Sequence, residues 1–408
     1  METFITKIYV KESRGGVRDL EIPLSATERQ HLIITGKNGS GKTSLLEEFN
    51  KYLSQIENGQ IYHFDKIRQQ LLDDENKRKT LSETDYDEII TYDKSIKQKK
   101  DYFAAFGNTE INFSKSKIQL ADIYEKGDFL LVNFGTKRAG APVNIPKGIS
   151  NIDFKPKYGL KDNASAHFLQ FIVNLKADRL FAQDENDQQT AEQIDEWFER
   201  FESQLRDIIF NEPSLKLVFD RKTYNFSIQI DGQKPFGFNA LSDGYSAFIN
   251  IIAELLMRME AHNAKAYDME GVVLIDEIET HLHVELQKRV LPFLVAFFPK
   301  IQFIVTTHSP FVIQSIENAT ICDLETKIIA KDLTAYSYDA LVESFFMTDK
   351  YSETVKEKIA EYEKLLAKQE KTIEDREHIK SLQDYFASAK FISKELRIKL
   401  NQIELQYL

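Results

Sequence analysis

One stretch of the chain has the residue types and the spacing that bind phosphate groups. It reads Gly36-Lys37-Asn38-Gly39-Ser40-Gly41-Lys42-Thr43-Ser44. Glycines there let consecutive backbone N–H groups turn toward an anion, and a lysine adds positive charge. Lys42 is expected to reach the β- and γ-phosphates of a nucleotide, and Thr43 to hold Mg²⁺. The stretch therefore predicts a site for a nucleoside triphosphate and Mg²⁺, in which Lys37 is the one residue without an assigned contact.

The elements on either side of this loop are those that such a site needs. His31–Thr35 is a short apolar run typical of a buried strand, and residues 44–49 have the apolar spacing of a helix. A helix that starts at the loop directs the positive end of its dipole toward the same anion. A Gly-rich turn without a chemical role is the alternative, and the strand, the spacing and the helix together favour phosphate binding.

Two further apolar runs end in residues that can act on a phosphate chain. The run 271–275 is followed by Asp276 and Glu277, and the run 301–307 is followed by His308. Because carboxylates hold magnesium and orient water, Asp276 is expected to ligate the metal, and Glu277 to orient or deprotonate the attacking water. His308 is expected to hydrogen-bond the γ-phosphate. Lys42, Glu277 and His308 form the predicted catalytic set.

A second anion site is predicted between these motifs. Residues 239–246 form a turn of small residues before the apolar helix 247–257. Because the N-terminus of a helix attracts anions, the hydroxyl of Ser242 and the backbone N–H of Gly244 are predicted to contact phosphate as well.

Composition limits the classes of protein. A hydrophobic share of 42% in 408 residues excludes global disorder, and no run approaches the roughly 18 apolar residues that span a bilayer. The first residues lack the basic and apolar stretches of a secretion signal, and the single cysteine, Cys322, fits a reducing compartment. A cytoplasmic protein without a membrane partner is expected. A net charge of −11 argues against a uniformly basic nucleic-acid surface, while a local DNA contact stays open.

Apolar and charged runs alternate along the chain and predict an α/β protein with insertions. The predicted core combines a central, mostly parallel sheet with an antiparallel β subdomain, and comprises residues 1–50, 129–150 and 214–340. Two helical insertions are predicted, at 51–128 and 151–213, because the first is rich in charge and the second has helical apolar spacing. A helical C-terminal region is predicted at 341–408.

The order of the motifs resembles that of the ABC-type ATPases. The phosphate loop is followed by Leu241-Ser242-x-Gly244, then by Asp276-Glu277, and then by Thr307-His308. The resemblance implies a P-loop ABC-type ATPase fold and ATP hydrolysis. Protomers of that family pair head to tail, which implies a homodimer or a higher oligomer. Ser242 and Gly244 would then contact the γ-phosphate that the other protomer holds.

Two departures separate this chain from the transport ATPases of the family. Residues 241–245 read Leu-Ser-Asp-Gly-Tyr in place of Leu-Ser-Gly-Gly-Gln, and no glutamine follows the apolar run 129–134 at the place of a glutamine loop. Residues 275–283 read Ile-Asp-Glu-Ile-Glu-Thr-His-Leu-His and resemble a block of the soluble RecF/OLD-like ATPases. Members of that group serve DNA repair and anti-phage defence.

The whole pattern, including a helical tail after the block 341–346, resembles the ATPase subunits of Septu-type anti-phage systems. Retron-associated and PARIS-type ATPases share much of it. In the Septu family a separately encoded His-Asn-His nuclease accompanies the ATPase, and no nuclease signature follows residue 324 here. The resemblance implies an ATPase that oligomerises and controls such a nuclease. The alternatives are a RecF/SMC-like DNA-repair ATPase that clamps DNA on binding ATP and, third, a transporter subunit.

Three groups of residues allow two interpretations each. Arg14 and Arg18 flank a Gly-Gly pair and are either nucleotide contacts or surface arginines. A zinc or manganese site would use the alternate side chains Glu277, Glu279, His281 and His283, which requires an extended backbone. The family resemblance implies instead that this stretch communicates across the dimer. An amphipathic tail helix facing a second helix around 385–405 is predicted from the spacing of Val355, Ile359, Tyr362, Leu366 and Ile373. That hairpin either packs on the ATPase lobe or docks a partner.

Overall fold

The computed structural model describes residues 2–136, 146–155, 157–160, 162–261, 269–341, 351–388 and 394–407. Residues 342–346 of the tail pattern lie outside this description. The chain divides into two compact units, residues 1–336 and residues 337–408.

The secondary structure alternates between strands and helices. The strands are β1 (Ile5–Glu12), β2 (Arg18–Pro23), β3 (His31–Thr35), β4 (Thr109–Phe113), β5 (Phe129–Phe134), β6 (Lys216–Asp220), β7 (Asn225–Gln229), β8 (Phe236–Gly237), β9 (Glu270–Ile275), β10 (Ile301–Thr306), β11 (Ala319–Asp323) and β12 (Ile329–Lys331). The helices are α1 (Lys42–Glu57), α2 (Phe64–Thr80), α3 (Tyr86–Ala104), α4 (Lys117–Glu125), α5 (Phe168–Asp184), α6 (Gln188–Gln204), α7 (Asp243–Glu260), α8 (Val284–Gln287), α9 (Val290–Phe297), α10 (Pro310–Ile313), α11 (Tyr338–Ala340), α12 (Glu353–Leu366), α13 (Ile373–Ser388) and α14 (Lys394–Gln406).

A six-stranded, mostly parallel sheet forms the centre of the first unit. Its order is β12-β11-β3-β10-β9-β5, in which β12 is antiparallel to β11 and the other neighbours are parallel. Every residue of β3, β10 and β11 is buried, as expected for parallel strands covered on both faces. The predicted central, mostly parallel sheet is confirmed. Its carboxyl edge carries the ends of β3, β9 and β10, where parallel α/β proteins bind ligands.

Two antiparallel sheets complete the first unit, with the orders β2-β1-β4 and β6-β7-β8. Strand β4 lies within residues 51–128, for which the sequence predicted helices. It forms a strand because Ile111 lies opposite Ile8 of β1, and both side chains are buried there. The two strands are about a hundred residues apart in the sequence, so their pairing is a tertiary effect that local composition cannot predict.

The second helical stretch contains α5, α6 and a π-helical turn at Leu205–Phe210. Trp197 packs between Phe171 and Phe201, with ring centroids 5.8 and 5.2 Å away. Core packing therefore accounts for its helical spacing, as predicted. In the described ranges no helix has the length and apolar character needed to cross a membrane.

The second unit has a hydrophobic core of its own. Three of its helices supply the buried side chains Ile359, Tyr362, Leu365, Ile379, Leu382, Phe386, Leu396, Leu400 and Ile403. The prediction of one helix continuing through Ile373 is wrong, because α12 ends at Leu366 and Ile373 starts α13 with 79% of its surface exposed. Of the predicted second helix around 385–405, the residues up to Ser388 lie in α13 and those from Lys394 lie in α14, and residues 389–393 lie outside the described ranges.

Candidate nucleotide-binding site

The glycine-rich loop joins the end of β3 to the start of α1. Gly41 has a φ of 95° and packs against the turn between β1 and β2. A Cβ on Gly15 would lie 2.5 Å from the Cα of Gly41, so only glycine fits there. The first hairpin therefore braces the loop through a backbone contact. Arg14 is exposed beside this contact, whereas Arg18 forms an ion pair with Glu12 on the hairpin.

Lys42 is buried at the centre of the loop, with 5% of its surface exposed. Its Nζ donates hydrogen bonds to the carbonyls of Gly36 (2.8 Å) and Lys37 (3.0 Å), and lies 3.5 Å from Nδ1 of His308. Burial lowers the pKa of the ammonium, while the negative charges of Glu277 and Glu279 act in the opposite direction. The loop thus concentrates a partly desolvated cation where phosphates would enter.

The two acids at the end of β9 are held by the neighbouring strand β10. The hydroxyl of Thr306 donates to Oδ1 of Asp276 at 2.6 Å and accepts the backbone N–H of Glu277 at 2.7 Å. Thr306 is fully buried. Sequence reasoning missed this residue, although a polar side chain at the end of an otherwise apolar strand is a signal that could have drawn attention to it.

A tight turn follows the acids. Glu277 and His281 have positive φ values of 45° and 67°, a backbone conformation that costs energy in non-glycine residues and is concentrated at functional sites. Inside the turn, Thr280 donates from its N–H to the Glu277 carbonyl at 2.9 Å and from its hydroxyl to Glu277 Oε2 at 3.2 Å. The extended backbone required by the zinc or manganese interpretation is absent from this segment. No group of three metal-ligating side chains occurs among the described residues.

His308 closes the site from the end of β10. Its backbone N–H donates to Oε1 of Glu279 at 2.5 Å. Burial is the main cause that lowers the pKa of the imidazole, and the charge of Lys42 adds to it. The ring is therefore neutral at physiological pH and can offer either a donor or an acceptor.

Ser242 and Gly244 lie at the N-terminus of α7, apart from the loop. Ser242 is exposed and makes no capping bond to its own helix, so its hydroxyl is available. Gly244 is buried against the acidic turn, since a Cβ there would lie 2.5 Å from the carbonyl oxygen of His281. Both residues line a cavity of about 480 Å³ together with Tyr245, His283 and Arg289.

The structure thus brings one group of predicted residues together and leaves another apart. Lys42, Asp276, Glu277 and His308 share one electrostatic neighbourhood at the carboxyl edge of the sheet. None of the residues 36–44 lines the cavity that contains Ser242 and Gly244. A phosphate loop after β3, acids after β9 and a histidine after β10, on a mostly parallel sheet with antiparallel sheets beside it, define an ABC-type ATPase.

Comparison with known proteins specifies the family. Residues 32–314, more than half of the chain, match the family described as "AAA domain, putative AbiEii toxin, Type IV TA system". The chain belongs to this family.

Similar curated proteins carry defence-system names. The Septu protein PtuA of Bacillus mycoides (strain KBAB4) is 23% identical over 97% of this chain and 52% of its own length. The Retron Ec83 probable ATPase of Escherichia coli is 36% identical over 26% of this chain and 18% of its own length. The Retron Vc95 probable ATPase of Vibrio cholerae serotype O1 biovar El Tor is 36% identical over 20% of this chain and 16% of its own length. The chain therefore spans about half the length of the first relative, and less of the others.

The solved structures that match this chain include heads of SMC proteins. The SmcHead bound to the C-winged helix domain of ScpA covers 78% of this chain and 94% of its own, with 15% identity and a TM-score of 0.37. The SMC head domain from Thermotoga maritima covers the same shares, with 16% identity and a TM-score of 0.34.

Proposed function

We propose that this chain binds ATP with Mg²⁺ at the loop 36–44 and hydrolyses it. The observation that carries the proposal is the convergence of Lys42, Asp276, Glu277 and His308 at one edge of the sheet. The residues also fit a phosphate chain in detail. The Ser40 hydroxyl is buried and makes no hydrogen bond within the described part of the chain. Buried hydroxyls seldom stay unpaired, so a bound anion is a suitable partner.

Each predicted residue receives a role in this reaction. Lys42 neutralises the β- and γ-phosphates, and the backbone N–H groups of the loop contact their oxygens. Thr43 and Asp276 would hold the magnesium ion, which supplies charge neutralisation when bound. Glu277 orients and deprotonates the attacking water, and His308 hydrogen-bonds the γ-phosphate.

We further propose that the protein acts in an anti-phage defence complex in the cytoplasm. Support comes from the Septu protein that aligns with 97% of this chain and from the retron ATPases. The ATPase would form a dimer or higher oligomer, in which Ser242 and Gly244 complete the site of another protomer. It would control a separate nuclease, for which the His-Asn-His type is the candidate, with DNA as a further contact.

The alternative is a DNA-repair ATPase that clamps DNA on binding ATP. Such machines carry a long coiled coil, whereas the helical hairpin of α2 and α3 has 17 and 19 residues, a length of about 25–30 Å. This length favours the defence proposal over the clamp.

Two variants test the nucleotide site. Lys42→Ala should abolish ATP binding, because the loop loses its charge against the phosphates. Glu277→Gln keeps the shape of the side chain but loses the base, so ATP should bind and turnover should fall by at least about 100-fold. Fluorescent-nucleotide titration and phosphate release measure the two effects. Unchanged affinity in the first variant, or unchanged turnover in the second, would contradict the site.

A third experiment tests the division of labour between ATPase and nuclease. The purified chain should hydrolyse ATP but leave DNA and RNA intact, and cleavage should require the product of a neighbouring nuclease gene. The Glu277→Gln protein should bind ATP without hydrolysing it. Testing it with the same partner therefore shows whether ATP binding or ATP hydrolysis activates the nuclease. Cleavage by the isolated chain would overturn the proposal.

A further inference from the structure

Glu279 has no role assigned in the reaction proposed above, and the sequence offers it only as a ligand of a zinc or manganese site, for which the required extended backbone is absent. It sits in the middle of the turn between Glu277 and His281, the two residues with positive φ. Its Oε1 accepts the backbone N–H of His308 at 2.5 Å. Its Oε2 is buried and has no hydrogen-bond partner among the described residues.

The hydrogen bond from the His308 N–H to Glu279 supplies a partner for a backbone amide just beyond the end of β10. The strand ends at Thr306, and each of the next three amides has a different partner. Thr307 donates its N–H to the carbonyl of Ile34 at 3.0 Å, and Ser309 donates to the Thr307 hydroxyl at 2.9 Å. Without the Glu279 carboxylate the partly buried N–H of His308 would lose this partner, and leaving such a group unpaired costs free energy.

The same bond joins the acidic turn to the histidine loop. Glu279 lies two residues after the predicted base, whose Oε2 is itself held by Thr280 at 3.2 Å. The ring of His308 lies 3.5 Å from Lys42. These contacts hold Glu277, His308 and Lys42 in fixed positions relative to one another. Catalysis is faster when the reacting groups are already held in the required geometry.

We propose that Glu279 is a positioning residue for hydrolysis: by holding the backbone N–H of His308 it sets the imidazole against Lys42 and the incoming γ-phosphate. The inference rests on the ATP hydrolysis proposed above. For this role Glu279 must accept the hydrogen bond from His308, whereas its negative charge is of secondary importance.

Two substitutions separate the hydrogen bond from the charge. Glu279→Gln keeps an amide oxygen that can accept the His308 N–H, whereas Glu279→Ala removes the acceptor. The alanine variant should lose about 10- to 100-fold in kcat while its Kd for ATP stays within about threefold, because misplacement of a catalytic group affects the transition state more than binding. The glutamine variant should keep kcat within about threefold of the wild type.

A readout that needs no turnover completes the experiment. Amide hydrogen exchange of the peptide 305–311 in nucleotide-free protein should be faster in Glu279→Ala and unchanged in Glu279→Gln. Glu317→Ala, an exposed acid in the loop before β11, serves as the matched control for the lost charge and should change neither exchange nor kcat.

The possible outcomes are distinct. An equal fall in kcat for both Glu279 variants with unchanged exchange would show that charge matters and overturn the proposal. Unchanged kcat in Glu279→Ala would also overturn it. If the wild-type protein fails to hydrolyse ATP, the proposed function fails, while the exchange measurement still decides whether Glu279 holds the histidine loop. Circular dichroism of both variants verifies that they fold.

Discussion

Thr306 positions both acids of the candidate site through a single hydroxyl. It donates to Asp276 and accepts from the backbone N–H of Glu277, and its side chain is fully buried. Thr306→Val keeps the shape but removes both bonds and leaves the Glu277 N–H unpaired. The cost should be about 1–3 kcal/mol of stability, and kcat should fall more than the affinity for ATP. Thermal unfolding and steady-state kinetics measure the two losses.

Thr306→Ser provides the matched control for that prediction. Serine retains the hydroxyl, so activity should return to near the wild-type level while the lost methyl group lowers stability slightly. Equal loss of turnover in both variants would show that packing by the methyl group, and not the hydroxyl, supports the acids.

The phosphate loop could be predicted from sequence because its function lies in nine consecutive residues. The roles of Thr306 and Glu279 could not, since each depends on the adjacency of β9 and β10, whose residues are about thirty positions apart. The contact of Gly15 with Gly41 depends likewise on the packing of one hairpin against a distant loop. Motif spacing reports local geometry, whereas these contacts arise only after strands pair.

At the level of elements, helix α7 is tied to the sheet by a buried ion pair. Arg258 and Glu254 are 1% and 5% exposed and lie 2.6 Å apart. Arg258 also donates to the carbonyls of Leu131 on the edge strand β5 and of Asp162, and Glu254 accepts the N–H groups of Ala164 and Ser165. The pair thus links the helix that begins at Ser242 to β5.

Arg258→Met should destabilise the first unit by about 3–5 kcal/mol, because the buried Glu254 carboxylate loses its ion-pair partner and the carbonyls of Leu131 and Asp162 lose their donor. The exposed pair of Arg18 and Glu12 is the control, and Arg18→Met should cost less than about 1 kcal/mol. Urea denaturation at pH 7 compares the two variants. A loss at Arg258 no larger than that at Arg18 would mean that the network contributes little to stability.

Strand β3 carries a buried histidine that makes stability depend on pH. His31 accepts the N–H of Phe303 at its Nδ1, and burial lowers its pKa to about 3. Below pH 6.5 the unfolded chain binds a proton that the folded chain does not accept until about pH 3. Stability should therefore fall as pH drops through this window, by about 1.4 kcal/mol per pH unit from this residue.

Chemical denaturation between pH 7.5 and pH 5 measures that slope. His31→Gln retains an acceptor without a titrating ring and should reduce the slope, while a surface substitution at the exposed His378 should leave it unchanged. An identical slope in the wild type and His31→Gln would assign the pH dependence to other groups.

In residues 337–408 helical periodicity predicts a buried face but only part of what packs against it. Spacing identified the apolar stripe of α12 and a facing helix around 385–405, but left open whether the hairpin packs on the ATPase lobe or docks a partner. In the structure Ile359 and Tyr362 belong to a core formed with α13 and α14. Polar substitutions there would unfold the unit, so they cannot report on a partner that docks on its surface. Deletion of residues 337–408 at the boundary of the two units is the better probe for nuclease recruitment.

At the scale of the whole molecule, the main argument for the proposed oligomer is that the two surfaces proposed to bind phosphate lie in different places on one chain. Lys42 lies at the carboxyl edge of the sheet, and Ser242 lines a different cavity. Ser242 is exposed and makes no capping bond. If a single protomer used only the first surface, the Ser242 hydroxyl would have no contact in the site. In the proposed dimer, head-to-tail pairing would place the second surface of one protomer over the first surface of another.

Mixing two inactive proteins tests this arrangement. Lys42→Ala disables the loop of its own chain, and Ser242→Arg places a bulky charge on the surface offered to the partner, so each variant alone should be inactive. A mixed dimer contains one composite site with an intact loop from the Ser242→Arg chain and an intact serine from the Lys42→Ala chain. Phosphate release should therefore reappear on mixing, at up to about a quarter of the wild-type rate if pairing is random and each dimer has two sites.

Dilution gives an independent measure of the same contact. Turnover per subunit should fall once the wild-type protein is diluted below the dissociation constant of the dimer, because ATP-bound monomers lack the second surface. Mixing each variant with wild-type protein controls for simple dominance by the altered chain. Constant turnover on dilution together with no recovery on mixing would show that the site is complete within one protomer. Ser242 and Gly244 would then serve only to pack α7 against the acidic turn.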